Sequence, residues 1–388
     1  MDYPLERFSK IDTPFYYYDL SLLKRTLQTI NEILKDYPHF HVHYAVKANA
    51  NERLLKVISA AGFGADCVSG GEVLIANKNG FPAEQIVFAG VGKSDNEIRE
   101  ALAIGIFCFN VESIQELEVI NEIASDMGKT ARVAFRINPN VDAHTHEKIT
   151  TGLNENKFGI ALDDAIPAIL LCQNLKNVEY VGLHFHIGSQ ILDLSVYEDL
   201  CERINMLQCE LEVNGIHTQL INVGGGLGID YPNPDQSPIA EFAAYFSVYA
   251  NKLKLRKGQS VHFELGRSIV GQCGSLISRT LYIKEGKTKK FVIVDAGFTD
   301  LIRPAMYGAF HSIENLSNSE SKDLEKYDVV GPICESTDVF VQNYELPLTK
   351  RGDLIAFRSA GAYGEVMSST YNCRQLPKAF YDTEAVDF

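Results

Sequence analysis

Lys47 stands in YAVKANAN, near the end of an apolar, β-type run and just before a small, polar, turn-like stretch. A buried ammonium is costly unless it is paired or used, so the position calls for a chemical role. Other residues of this kind follow at long intervals: Asp66 in GADCVS, His184 and His186 in LHFHIGS, the run Gly224, Gly225 and Gly226, and Glu264 with Arg267 in HFELGRS. A lysine amine can condense with a carbonyl. Backbone N–H groups exposed in a glycine turn can cradle a phosphate, and an arginine can clamp it with two parallel hydrogen bonds. Histidines two apart could ligate a metal or be satisfied core residues. Asp66 could supply a third ligand or simply cap its turn, and no convincing fourth ligand is found.

The elements that must position these groups are short β-type runs alternating with longer amphipathic segments. The runs are HYAVKA (His43 to Ala48), GADCVS (Gly64 to Ser69), IVFAGV (Ile86 to Val91), FCFNVES (Phe107 to Ser113), RVAFRINP (Arg132 to Pro139), YVGLHFHIGS (Tyr180 to Ser189), LINVGGG (Leu220 to Gly226) and VHFELG (Val261 to Gly266). Eight β–α units in roughly 240 residues predict a (β/α)8 TIM-type barrel. A doubly wound sheet would carry a glycine-rich turn after its first strand, where this chain has KANAN. After Gly266 the texture changes to β-type runs separated by turns, which predicts a second, mostly β domain of Greek-key or sandwich type. The polar residues fall toward the C-terminal ends of the barrel strands, the face on which barrel active sites assemble. Strand periodicity puts His184 and His186 on one side and Phe185 on the other. The glycines after the seventh strand and the arginine after the eighth occupy the phosphate corner common in such barrels.

A lysine, a phosphate pocket and an acid on one face match what pyridoxal 5'-phosphate requires. Lys47 would bind its aldehyde carbon, Glu264 would keep its ring nitrogen protonated, and an imidazole such as His186 could stack on the ring. The bulk composition agrees with an enzyme of this sort. The chain has 388 residues, 46% hydrophobic and 22% charged, with a net charge of −14. That acidic balance argues against nucleic acid as a partner. No apolar run approaches membrane-spanning length, and no secretory signal is expected at MDYPLERFSK. Eight scattered cysteines without zinc-like spacing suit a reducing, cytoplasmic setting.

Seven separated motifs then occur in order: YAVKAN, HFHIGSQI, NVGGGLGIDY, ELGRSIV, DAGFTDLIRPAMY, GPICESTDVF and AGAYGEVMSSTYN. From about Tyr44 to Asn372 the chain resembles the diaminopimelate decarboxylases, members of the alanine-racemase-fold (fold type III) group of pyridoxal-phosphate enzymes. The resemblance implies a barrel of residues 24–266 and a β domain of residues 1–23 plus 267–388. It implies that FYYYDL (Phe15 to Leu20) joins the second domain. By matched position, Lys47 resembles the Schiff-base lysine and His186 the ring-stacking histidine. Asp66 is counted with the cofactor-binding residues. Ser189 and Gly224 to Gly226 match phosphate contacts, and Glu264 matches the partner of the ring nitrogen. Arg267 and Tyr363 match residues at the phosphate and substrate side, and Arg303 and Tyr307 resemble ligands of a substrate carboxylate. Cys334 resembles the proton donor and Glu335 the ligand of the distal amine. In this family their segment enters the neighbouring subunit's site, so a homodimer with shared active sites is implied.

The implied reaction is decarboxylation of meso-2,6-diaminopimelate to L-lysine, with no metal. Two departures stand out: Leu265 replaces the family's proline in ELGR, and NCRQLPKAF differs from the usual ending around Arg374. Carboxynorspermidine and ornithine decarboxylases, a racemase and a non-catalytic homologue are the rival readings. The set Arg303 with Glu335 argues against the first two, CES against the third, and the retained Lys47 and glycines against the last. The loop from Asp142 to Ile160 is polar and glycine-containing, and is expected to be either a lid or a plain connection.

Overall fold

The computed structural model describes residues 3–141 and 157–383. The loop from Asp142 to Ile160, expected as a lid or a plain connection, therefore lies mostly outside the described residues. The chain divides into two compact units: one of residues 26–228 and 241–266, the other of the chain up to Arg25, Ile229–Ala240, and from Arg267 onward.

Strand β1 (Phe15–Tyr18) belongs to the second unit. The first is built on β2 (Phe40–Ala45), β3 (Gly64–Cys67), β4 (Ile86–Phe88), β5 (Cys108–Val111), β6 (Ala131–Asn138), the two-residue β7 (Ile160–Ala161), β8 (Val178–His184), β9 (Leu220–Asn222) and β10 (Ser260–Leu265). All neighbours are parallel, and β10 returns to β2, so eight strands close into a barrel while β7 only extends β6. The strands read as unbroken apolar runs because both faces are covered, by side chains within and by helices outside. Val87, Cys108, Ala134, Val181 and Leu220 form one buried cluster drawn from five different strands, as expected for a filled barrel interior.

Polar residues at the strand exits start the helices. Asn51 caps Glu52–Ala60 by accepting from the Arg53 N–H; Ser69 and Ser113 do the same for Gly70–Lys78 and Ile114–Asp126. Ser94 and Glu97 form a reciprocal capping box on Asp95–Ile104. Each cap satisfies backbone donors that the first helical turn leaves open. The strands therefore end sharply, and the residues after them are held as turns. This corrects two expectations. Strand β2 ends at Ala45, so Lys47 sits on the 3-10 turn Val46–Ala48. Likewise β8 ends at His184, so the alternation expected through His186 does not extend that far.

The second unit contains β11 (Gly274–Glu285), β12 (Lys290–Val294), β13 (Ile313–Asn315), β14 (Leu324–Val330), β15 (Val339–Pro347), β16 (Leu354–Phe357) and β17 (Lys378–Tyr381). Its sheet runs β13-β16-β11-β12-β14-β15, and β1 pairs antiparallel with β11 and parallel with β17. Phe8, Phe15, Tyr17, Ile277, Leu316, Leu354 and Ala356 form a core cluster of this unit. The FYYY run is thus a strand of the β unit.

Candidate active site

Barrel closure brings Lys47, Asp66 and Glu264 to the C-terminal ends of β2, β3 and β10. Lys47 Nζ lies 3.3 Å from Asp66 Oδ2, with Asp66 fully buried and the lysine side chain about one-third exposed. The other carboxylate oxygen of Asp66 is buried without a hydrogen-bond partner among the described residues. Burial, followed by the nearby Glu264 charge, raises the Asp66 carboxyl to about 6, against the pull of Lys47.

Glu264 is held differently. Its Oε1 accepts from Asn110 Nδ2 at 3.2 Å and from Asn222 Nδ2 at 2.7 Å. Its Oε2 faces His184 Nε2 at 3.1 Å. Burial alone would push the Glu264 carboxyl up, but His184 beside it and then Lys47 hold it well below the ordinary range. The barrel interior thus contains one carboxylate kept charged and one that keeps its proton more readily.

The turn after β9 shows why three glycines are consecutive. Gly224 and Gly226 have φ of 70° and 108°, in the left-handed region open to glycine. A Cβ on Gly225 would lie 2.0 Å from the Glu264 carbonyl oxygen, and one on Gly224 would lie 2.3 Å from that of Phe185. This turn therefore nests between the exits of β8 and β10. The turn carrying Ser189 is fastened to it, since the Ile191 N–H donates to the Gly226 carbonyl at 2.9 Å. His186 Nδ1 accepts from the Gly225 N–H at 3.3 Å. Burial, with the Lys47 and Arg136 charges, drives the His186 pKa well down, so its imidazole is neutral.

In the β unit, Arg267, Arg303 and Tyr231 are buried together. Arg267 Nη1 donates to the Tyr231 hydroxyl at 2.7 Å, and the Arg303 guanidinium lies 4.9 Å from the Tyr231 ring centre. Arg267 also stacks on Tyr363 at 4.9 Å, and Tyr363 has a φ of 56°, a strained conformation of the kind found at working sites. His311 Nδ1 bonds the Arg358 carbonyl at 2.9 Å and so carries its proton there. Its Nε2 then accepts from Arg303 Nη1 at 2.9 Å. Burial and the Arg303 charge lower the His311 pKa to about 3. Two buried guanidiniums, that of Arg303 facing the neutral His311, offer donors to an anion. Tyr307 ends the short helix Arg303–Tyr307.

Cys334 and Glu335 are exposed. Glu335 Oε1 accepts from the Tyr371 hydroxyl at 2.7 Å, and the Cys334 N–H is 3.4 Å from Asn372 Oδ1. Arg374 Nη2 donates to the Asp295 carbonyl at 2.5 Å. Among the described residues no group of three or more His, Cys, Asp or Glu side chains is placed to hold a metal ion. A second set of histidines, His41, His43 and His262, lines a cavity of about 580 Å3 with Phe107 and Arg132 at the start of the barrel strands, away from Lys47.

Sequence reasoning missed Asn110 and Asn222, and gave His184 no role of its own. Amides inside strand runs were the available signal, since a buried amide must find partners.

The barrel site fits pyridoxal phosphate on its own donor set: an amine, a caged carboxylate and a glycine cradle that admits no Cβ. Residues 23–271 match the model for the pyridoxal-dependent decarboxylase, pyridoxal binding domain. A diaminopimelate decarboxylase of Bacteroides thetaiotaomicron is 59% identical to this chain, with 99% of each covered. That of Aquifex aeolicus is 43% identical, covering 93% of this chain and 84% of its own length. The crystal structure of diaminopimelate decarboxylase from Helicobacter pylori complexed with L-lysine has a TM-score of 0.91 at 40% identity, covering 98% of this chain and 94% of that one. The chain belongs to the diaminopimelate decarboxylases, within the pyridoxal-dependent decarboxylase family.

Proposed function

We infer that this chain removes carbon dioxide from meso-2,6-diaminopimelate to give L-lysine, with the following division of labour among its residues. Bound pyridoxal phosphate supplies the electron sink for the bond broken at Cα. Lys47 would tether the cofactor and Glu264 would hold the proton on its ring nitrogen. His186 would line the ring site, and Asp66 would balance the Lys47 charge. Ser189, Gly224, Gly225 and Gly226 take the phosphate, with Arg267 and Tyr363 at the phosphate and substrate side. Cys334 returns a proton to Cα as general acid. Arg303 and Tyr307 bind the distal carboxylate and Glu335 the distal amine. In this reading residues 24–266 carry most of the cofactor contacts and residues 1–23 with 267–388 carry substrate recognition, with Arg267 and Tyr363 serving both.

The exposure of Cys334 and Glu335 in the single chain supports their serving the active site of a second copy, in a homodimer. All eight cysteines are free, in keeping with a cytoplasmic setting. No helix of the described residues is long and apolar enough to cross a membrane.

The observation that carries the substrate reading is the buried Arg303, whose described partners are the neutral His311 and the Tyr231 ring. An amine-only substrate would leave it unpaired. Arg303→Leu is expected to lower kcat/KM for diaminopimelate roughly 10- to 100-fold, the worth of a charge-assisted hydrogen bond. Unchanged kcat/KM, or faster turnover of ornithine or carboxynorspermidine by the wild type, would reassign the substrate.

A further inference from the structure

A carboxylate offers about four acceptor sites for hydrogen bonds. At Glu264, three are taken by barrel side chains: two on Oε1 by Asn110 and Asn222, and one on Oε2 by His184. These donors come from β5, β9 and β8, and all are at most 1% exposed. The orientation of Asn222 is fixed. Asn222 Oδ1 accepts from the Gly224 N–H at 2.9 Å, so its amide nitrogen must turn to Glu264. Asn222 thereby ties the carboxylate to the glycine turn. The other nitrogen of His184, Nδ1, is buried without a partner among the described residues, so the ring's described hydrogen bond is the one to Glu264. A buried carboxylate without such donors would take up a proton and lose its charge.

We propose that His184, Asn110 and Asn222 are positioning residues that hold Glu264 ionised and in one orientation, leaving a single acceptor site on Oε2 for the protonated ring nitrogen of the cofactor. This rests on the reading of Glu264 as the partner of that nitrogen. The three residues do not touch the substrate; they act through Glu264. Removing one donor should therefore weaken binding of a ring that has a nitrogen and spare a ring that lacks one.

The test compares equilibrium binding of pyridoxal phosphate with that of its carbocyclic analogue, in which the ring nitrogen is replaced by C–H, to protein stripped of cofactor. His184→Leu removes the donor, and His184→Gln keeps an N–H at the place of Nε2. Asn110→Ala, which adds no bulk, strips a donor from the other oxygen. The expected result is a loss of pyridoxal phosphate affinity of about tenfold or more in His184→Leu and Asn110→Ala. Affinity for the analogue should stay within about twofold, and His184→Gln should recover most of the loss. An equal loss for both ligands, or no loss for either, would overturn the proposal and leave the three residues with a packing role. Wild-type protein that binds neither ligand would overturn the cofactor reading, and this proposal with it.

Discussion

Asp66 and Glu264 are both buried carboxylates in one barrel, yet they hold their protons differently because their donors differ. Glu264 has three side-chain donors, while one oxygen of Asp66 has no described partner. Asp66 should therefore leave a mark on stability. Folding raises its pKa to about 6, against an unfolded value near ~3.9. As pH rises between the two, the unfolded chain releases the proton while the folded protein retains it, so stability falls across that window. The span of about 2 units, at about 1.4 kcal/mol each, sets an upper bound on the order of 3 kcal/mol. Denaturant unfolding of the cofactor-free protein is expected to show this loss between about pH 4 and pH 6, and Asp66→Asn should flatten it. A variant with the wild-type slope would assign the pH dependence to other groups. At this scale the charged residues were legible in the sequence, because Lys47 and Glu264 interrupt apolar runs. Asn110 and Asn222 were not, since their significance appears only when β5, β9 and β10 are brought side by side.

The strands themselves were readable from their apolar runs and spacing, and so was the barrel. Their ends were less so, because capping decides where they stop. Lys47 was read as the end of a strand, but Asn49 and Asn51 turn the backbone first: Tyr44 donates to the Asn49 carbonyl at 2.8 Å, and Asn51 caps the next helix. The glycine turn was visible as a run but not in its reason. Each glycine meets a different neighbour, and Gly225 meets the backbone of β10, which cannot give way as a flexible side chain can. Gly225→Ala is expected to cost roughly 2 kcal/mol or more of stability and to reduce phosphate-dependent cofactor binding, because the clash displaces the turn and the Glu264 backbone together. Thermal unfolding and cofactor titration of the variant check this. A variant with wild-type stability and affinity would show that the turn relaxes without cost.

For the whole molecule, the proposed sharing of active sites between two copies has a quantitative consequence. Lys47→Ala and Cys334→Ala should each be inactive alone. When equal amounts are unfolded or dissociated together and allowed to reassociate, about half the dimers should be mixed, and each of these would hold one intact site of two. About one quarter of wild-type activity should therefore return. No recovery, with exchange of subunits verified by mass, would place Lys47 and Cys334 in the same chain's site.

Lys47 is proposed to tether pyridoxal phosphate for the decarboxylation of diaminopimelate. This is measured by recording the visible absorbance of the purified protein, where this cofactor bound through a lysine gives a band. Lysine and carbon dioxide are then assayed after addition of meso-diaminopimelate, with Lys47→Ala alongside. The expected result is a band and stoichiometric lysine for the wild type, with neither in the variant. A wild-type protein without the band, or a Lys47→Ala protein that still produces lysine at the wild-type rate, would remove Lys47 from this role.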